Sequence, residues 1–248
     1  MKKNPFIPLK SADLAIIPGD TDKNIINKLN EIGVKTITTI KCKDIDESIS
    51  YHPDIVIHPI NYNTLVIAPN VYDYYKEVLK ETNLKLIRGE RFLDVKYPDD
   101  IAYNVGRVYG KAFHNFKYSD EVLKFHLKKE GVELINVKQG YTKCSMAVID
   151  EYSIITEDKP IYNKLKELEY DPLLIDSSYI NLKGQKYGFI GGATGNLSKN
   201  TILVSGSLSH HPEKEKIENY IFKRNKKIIY LSDEKILDLG TIITLNGN

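Results

Sequence analysis

One kind of short strand returns five times along this chain, and no other sequence feature restricts the fold as much. Its copies fall at 54–58, 100–104, 144–148, 188–192 and 240–244, starting 46, 44, 44 and 52 residues apart. A near-constant period of this size marks one supersecondary unit used repeatedly. Each of the first four copies is followed by the same series. A second apolar strand comes next (65–68, 111–114, 154–156, 202–205), then a segment with apolar residues at helical spacing (72–82, 119–130, 159–169, 212–224), then a third strand (85–87, 133–137, 173–175, 228–231). The N-terminal part of the chain supplies a second strand at 14–17, a helix at 22–31 and a third strand at 36–40, with no first strand ahead of them. The last copy, 240–244, has no unit behind it. Pairing it with 14–17 completes the incomplete unit and removes a free sheet edge. The predicted architecture is therefore α/β, a five-bladed α/β propeller of ββαβ repeats closed by pairing of the N- and C-terminal strands. It spans 1–248 as a single pseudo-fivefold domain. An ordinary open α/β sheet offers no reason for the two complementary missing pieces.

Alternation along a strand puts positions 0, +2 and +4 on one face. In the five copies that face reads Asp54-Val56-His58, Asp100-Ala102-Asn104, Cys144-Met146-Val148, Gly188-Ile190-Gly192 and Gly240-Ile242-Thr244, against a mostly apolar opposite face. Carboxylates, a thiol, an imidazole, an amide and glycines are thus expected around one axis. Short first-to-second connections predict hairpins, which bring His114, Glu157 and the 207–211 segment to the same rim.

Lysine plus arginine (35) nearly balance aspartate plus glutamate (33), for a net charge of +2, and there is no basic run or apolar stretch of spanning length. Neither nucleic acid nor a membrane is an implied partner. A cytoplasmic protein with a small-molecule substrate or ligand is expected; the oligomeric state stays open. Cys42 and Cys144 fit neither a zinc knuckle nor a disulfide scaffold, so both are read as reduced thiols. Gly191-Gly192-Ala193-Thr194-Gly195 lacks the Lys-Ser/Thr ending of a phosphate loop.

The stretches Phe92-Leu93-Asp94-Val95-Lys96-Tyr97-Pro98, Gln139-Gly140-Tyr141-Thr142-Lys143-Cys144-Ser145 and Tyr187-Gly188-Phe189-Ile190-Gly191-Gly192-Ala193 resemble an uncharacterised bacterial family with the guanidino-group-modifying, or pentein, fold. That resemblance implies the five-bladed ββαβ propeller. The enzymes of the fold share a Cys nucleophile, a His and two carboxylates around the central channel, while one pentein is a ribosome anti-association factor that catalyses nothing. The His-x-Asp and Glu-Gly-Gly-Asp motifs of the enzymes have no clean match here, and a complete further unit follows Cys144.

The resemblance implies a hydrolase or transferase acting on a guanidino or amidino small molecule. Cys144 would be the nucleophile, His211 or His114 the acid/base, and Asp54 and Asp100 the cation holders, with His58, Asn104, Glu157 and Gly192 completing the binding surface. No metal or organic cofactor is implied. Each residue also has a plainer reading. Cys144 can be a small buried apolar residue, Asp54 and Asp100 turn residues after Pro53 and Pro98, and His211 the entry to a helix begun by Pro212. The alternative function is a non-catalytic pentein-fold binding protein. An enzymatic Cys144 is expected to have a thiol pKa below that of a free thiol.

Overall fold

A computed structural model describes residues 4–247. The strands form five separate three-stranded sheets. The first contains β1 (Leu14–Ile17) and, across helix α1 (Lys23–Glu31), β2 (Lys35–Thr38). A one-turn helix α2 (Pro53–Val56) leads into the second, made of β3 (Ile57–Asn61), β4 (Thr64–Ile67), helix α3 (Tyr72–Val78) and β5 (Lys85–Arg88). The third has β6 (Gly106–Val108), β7 (Lys111–His114), α4 (Glu121–Lys129) and β8 (Glu133–Asn136). The fourth has β9 (Ala147–Val148), β10 (Ser153–Thr156), α5 (Lys159–Glu167) and β11 (Asp171–Leu174). The fifth has β12 (Thr194–Ser198), β13 (Thr201–Val204), α6 (Lys214–Phe222) and β14 (Lys227–Tyr230).

In the last four sheets the first two strands are an antiparallel hairpin, and the helix crosses over to return a third strand parallel to the second. The first sheet has the same form because β15 (Ile243–Leu245) pairs antiparallel with β1, in the register Leu14 to Leu245 and Ile16 to Ile243. The missing strand of the N-terminal unit is thus supplied by the C-terminus, as the repeat predicts.

Local chemistry explains the elements. The middle strand of each sheet has an apolar centre and is almost wholly buried, as expected where both faces are covered. Helices α1, α4 and α5 start on Asp22, Asp120 and Asp158, whose carboxylates accept from the amides of Asn24, Leu123 and Ile161 at 2.7–2.8 Å. Just beyond the helices, Gly33, Gly131, Glu169 and Asn225 have φ of 80°, 73°, 61° and 55°, the left-handed residue that ends a helix. Among the described residues, no helix is long and apolar enough to cross a membrane.

The first strands begin later than the periodicity suggests. Residues 54–56 are a helical turn with Pro53 at its start, and the segments 100–104, 144–146 and 188–193 are turns and irregular backbone rather than strand. Their amides are taken by carbonyls three or four residues back (Asn104 to Ile101, Ser145 to Tyr141, Met146 to Lys143, Ala193 to Ile190), so no sheet ladder can form there. Strand alternation therefore does not govern which way Asp54, Asp100 or Cys144 points.

The turns bond to one another instead. Asp54 N donates to Gly240 O (3.0 Å), Asn104 Nδ2 to Asp54 O (3.3 Å), Lys143 N to Asn104 O (3.3 Å), Gly192 N to Cys144 O (3.0 Å) and Thr241 N to Gly192 O (2.7 Å). Each of the five equivalent turns is thus tied to the next, and the last to the first.

Candidate active site

Where these turns meet, Cys144 lies 3% exposed with its thiol 3.3 and 3.2 Å from Asp54 Oδ1 and Oδ2. Asn104 holds the turn carrying it: Asn104 Oδ1 accepts from the backbone N–H of Lys143 (2.8 Å) and Cys144 (3.2 Å). That fixes the side-chain amide so that Nδ2 points at Sγ, 3.1 Å away. Asp54 Oδ2 also accepts from the Thr241 hydroxyl at 2.6 Å.

His52, two residues before Asp54, completes the group: one donor atom each from His52, Asp54 and Cys144 lie within 4.8 Å of one another. Asp238 stands opposite, its Oδ1 3.9 Å from His52 Nδ1, a gap too wide for a hydrogen bond. His52 Nδ1 is buried without a partner. Asp238 is anchored by the backbone N–H of Gly240 (2.9 Å) and Phe189 (2.8 Å). The absence of a side chain at 192 makes room for it, since a Cβ there would sit 1.8 Å from Asp238 Oδ1. Cys144, His52 and Asp238 line a cavity of about 360 Å³, shared with Tyr141 and Phe189.

Burial dominates the electrostatics. It pushes the Cys144 thiol well above its ordinary value, with the negative charges of Asp54 and Asp238 adding to the effect. This is the reverse of the lowered thiol pKa expected from the sequence for a resting nucleophile. Burial raises Asp54 as well, opposed by His52 and Lys143, and brings Asp238 up to about 6. His52 is lowered by burial. The three donors are of the types that ligate metal ions, which take the thiolate, and the same imidazole, carboxylate and thiol form an acid–base cluster.

The other sequence-derived candidates lie at varying removes. Asp100 receives the Tyr141 hydroxyl at 2.5 Å and so stands one residue behind the cavity wall. Glu157, held by the Ile190 amide at 3.4 Å, lines a second, wider opening with Asp176 and Glu213. His211 lies beside that opening, with Nε2 3.1 Å from Asp176 O and Nδ1 accepting from Glu213 N, so both ring nitrogens are engaged away from the thiol. His114 bonds through Nδ1 to Thr142 Oγ1 (2.8 Å), and His58 packs edge-on to Phe6. The structure brings together Cys144, Asp54, Asn104 and Gly192, with His52 and Asp238 added. Those two were missed because they flank the repeating segments by two residues instead of lying inside them.

The enclosed imidazoles set an acid limit on stability. Burial lowers His52, lowers His58 well below its ordinary value and takes His114 to about 3. A histidine depressed in the folded state binds its proton only on unfolding, so stability is full above the unfolded value near 6.5 and falls as pH drops below it. For His114 alone the loss by pH 5 is about 2 kcal/mol. Urea midpoints are expected to fall between pH 7 and pH 5, and His114→Asn is expected to flatten that slope; an unchanged slope would contradict the assignment.

The fold recurs in proteins of known structure. StrB1, the inosamine-phosphate amidinotransferase of Streptomyces griseus, superposes with a TM-score of 0.59 over 98% of this chain and 95% of its own, at 11% identity. SxtG, an amidinotransferase of saxitoxin biosynthesis from Microseira wollei, gives 0.57 over 94% and 92%, at 14% identity. The DDAH of Pseudomonas aeruginosa, in complex with citrulline, gives 0.57 over 91% and 93%, at 8% identity. The fold they share with this chain is the pentein fold. No curated protein matches the chain by sequence. A family described only as of unknown function, DUF6873, matches residues 16–243.

Proposed function

This chain belongs to the DUF6873 family, and from that premise we propose that it is a hydrolase or transferase of guanidino or amidino small molecules with Cys144 as nucleophile. The observation that carries the reading is a thiol lining a cavity beside Asp54, with an imidazole and a second carboxylate on the same walls. The five sheets are read as blades of one closed propeller domain, supported by the β1–β15 pairing and the circuit of bonds between turns.

Burial and two carboxylates disfavour a thiolate, and a cation entering the cavity offsets the charge of the carboxylates. Asp238, ionised above about pH 6, is the cavity carboxylate suited to a guanidinium, which it can grip by two N–H groups. Tyr141 and Phe189 line the same cavity with aromatic rings, groups that attract a cation. In the reaction the Cys144 sulfur bonds to the amidinium carbon and one C–N bond breaks. The departing nitrogen leaves as an amine, taking the proton the thiol gave up, delivered by His52. Water or an acceptor amine then displaces sulfur and restores the thiol.

The near-complete enclosure of a resting thiol also favours a second reading, a pentein that binds its ligand without transforming it. Incubation with a panel of guanidines, with amine and urea release followed, separates the two. Turnover is expected with one member of the panel and is expected to vanish in Cys144→Ala. Ligand binding without turnover establishes the binding protein, and turnover that survives Cys144→Ala overturns the nucleophile.

A further inference from the structure

Resting on that catalytic reading, we infer that Asp54 is the base that takes the Cys144 proton, and that Lys143, acting through Thr241, is the positioning residue that holds Asp54 ready. Asp54 is poorly placed to clamp a substrate cation. Both its oxygens face the thiol, one also receives Thr241, and the carboxylate lies off the cavity wall that Cys144 lines. Asn104 Nδ2, aimed at Sγ by the two backbone amides its oxygen holds, provides a donor for the thiolate once the proton has moved.

The support behind Asp54 is built deliberately. Lys143 is 3% exposed, and its ammonium reaches the Thr241 hydroxyl (2.9 Å), Gly191 O (3.2 Å) and Met146 O (3.5 Å), with Phe6 beneath it at 5.0 Å from the ring centre. Among the described residues it makes no direct ion pair; its charge reaches Asp54 through one hydroxyl. Thr241, at φ 72°, holds a backbone conformation that β-branched residues rarely adopt. Such an outlier persists where the surroundings enforce it, here with its hydroxyl pinned between ammonium and carboxylate. The proton passes from Sγ to a carboxylate oxygen of Asp54 and on to His52 within the same cluster, and the electron pair left on sulfur forms the S–C bond.

The ionisable groups facing Asp54 are Cys144, His52, Lys143 and Asp238. The test is the pH dependence of Cys144 alkylation by 2-chloroacetamidine in the whole protein. Asp54→Asn is expected to slow it about 100-fold or more, the usual worth of a positioned base. Lys143→Met lets Asp54 keep its proton to higher pH, so the acid limb of the profile is expected to move up by about one unit or more. Lys143→Arg, which keeps the charge, leaves the limb in place. Thr241→Val against Thr241→Ser gives the same contrast if the methionine variant does not fold. A merely structural lysine would change the amplitude and leave the limb where it was. Wild-type rates in Asp54→Asn, or an unmoved limb in both Lys143→Met and Thr241→Val, overturn the inference with the nucleophile intact. A wild-type protein that is not alkylated at all overturns the catalytic reading itself.

Discussion

At pH 7, 2-chloroacetamidine is expected to alkylate Cys144 at least about 100-fold faster than its neutral counterpart chloroacetamide, a ratio equal to a two-unit change in thiol pKa. Burial and the charges of Asp54 and Asp238 keep the resting thiol protonated, so a neutral reagent meets almost no thiolate. A cationic reagent is drawn to Asp238 and, once seated, offsets the carboxylate charges that help hold the proton on sulfur. Cys42 is the internal control. It is 1% exposed and raised first by burial, with the charge of Asp44 adding a lesser push, and it does not line the cavity that Cys144 shares with Asp238. Peptide mapping with rates for both reagents checks the result. Equal rates, or Cys42 modified ahead of Cys144, would remove the cation-dependent site.

Gly192→Ala is expected to cost about 1–3 kcal/mol, as overpacking does, and to abolish the preference for the cationic reagent. The new methyl group would start 1.8 Å from Asp238 Oδ1, and the carboxylate has no easy retreat because the amides of Phe189 and Gly240 hold it. Gly33→Ala is the matched control. Its φ of 80° makes alanine strained, but nothing lies within 4 Å of the added carbon. It should lose about 1 kcal/mol and keep the reagent preference intact. Chemical denaturation together with the labelling ratio distinguishes the two glycines, and a Gly192→Ala protein that retains the ratio would show that Asp238 does not hold the cation.

The order of elements was legible from the chain alone because the units repeat and each middle strand has an apolar centre. The helices began within about two residues of their expected positions, and the orphan strand at the C-terminus pointed to its partner at the N-terminus. Cys144, Asp54, Asn104 and Gly192 were reached by the same route, since equivalent places in a repeat come together wherever the repeats do.

What periodicity could not reveal was the local backbone at those places. Proline at 53 and carbonyls three or four residues back capture the amides that a strand would have offered, so the segments curl into turns and the alternation of faces lapses. His52 and Asp238 follow from that, lying just outside the repeating segments and entering the site only because the turns fold back on their own flanks. The proton affinities were equally hidden. They depend on how completely water is excluded around each group and on which charges, distant in the chain, are packed beside it, and both are properties of the assembled molecule.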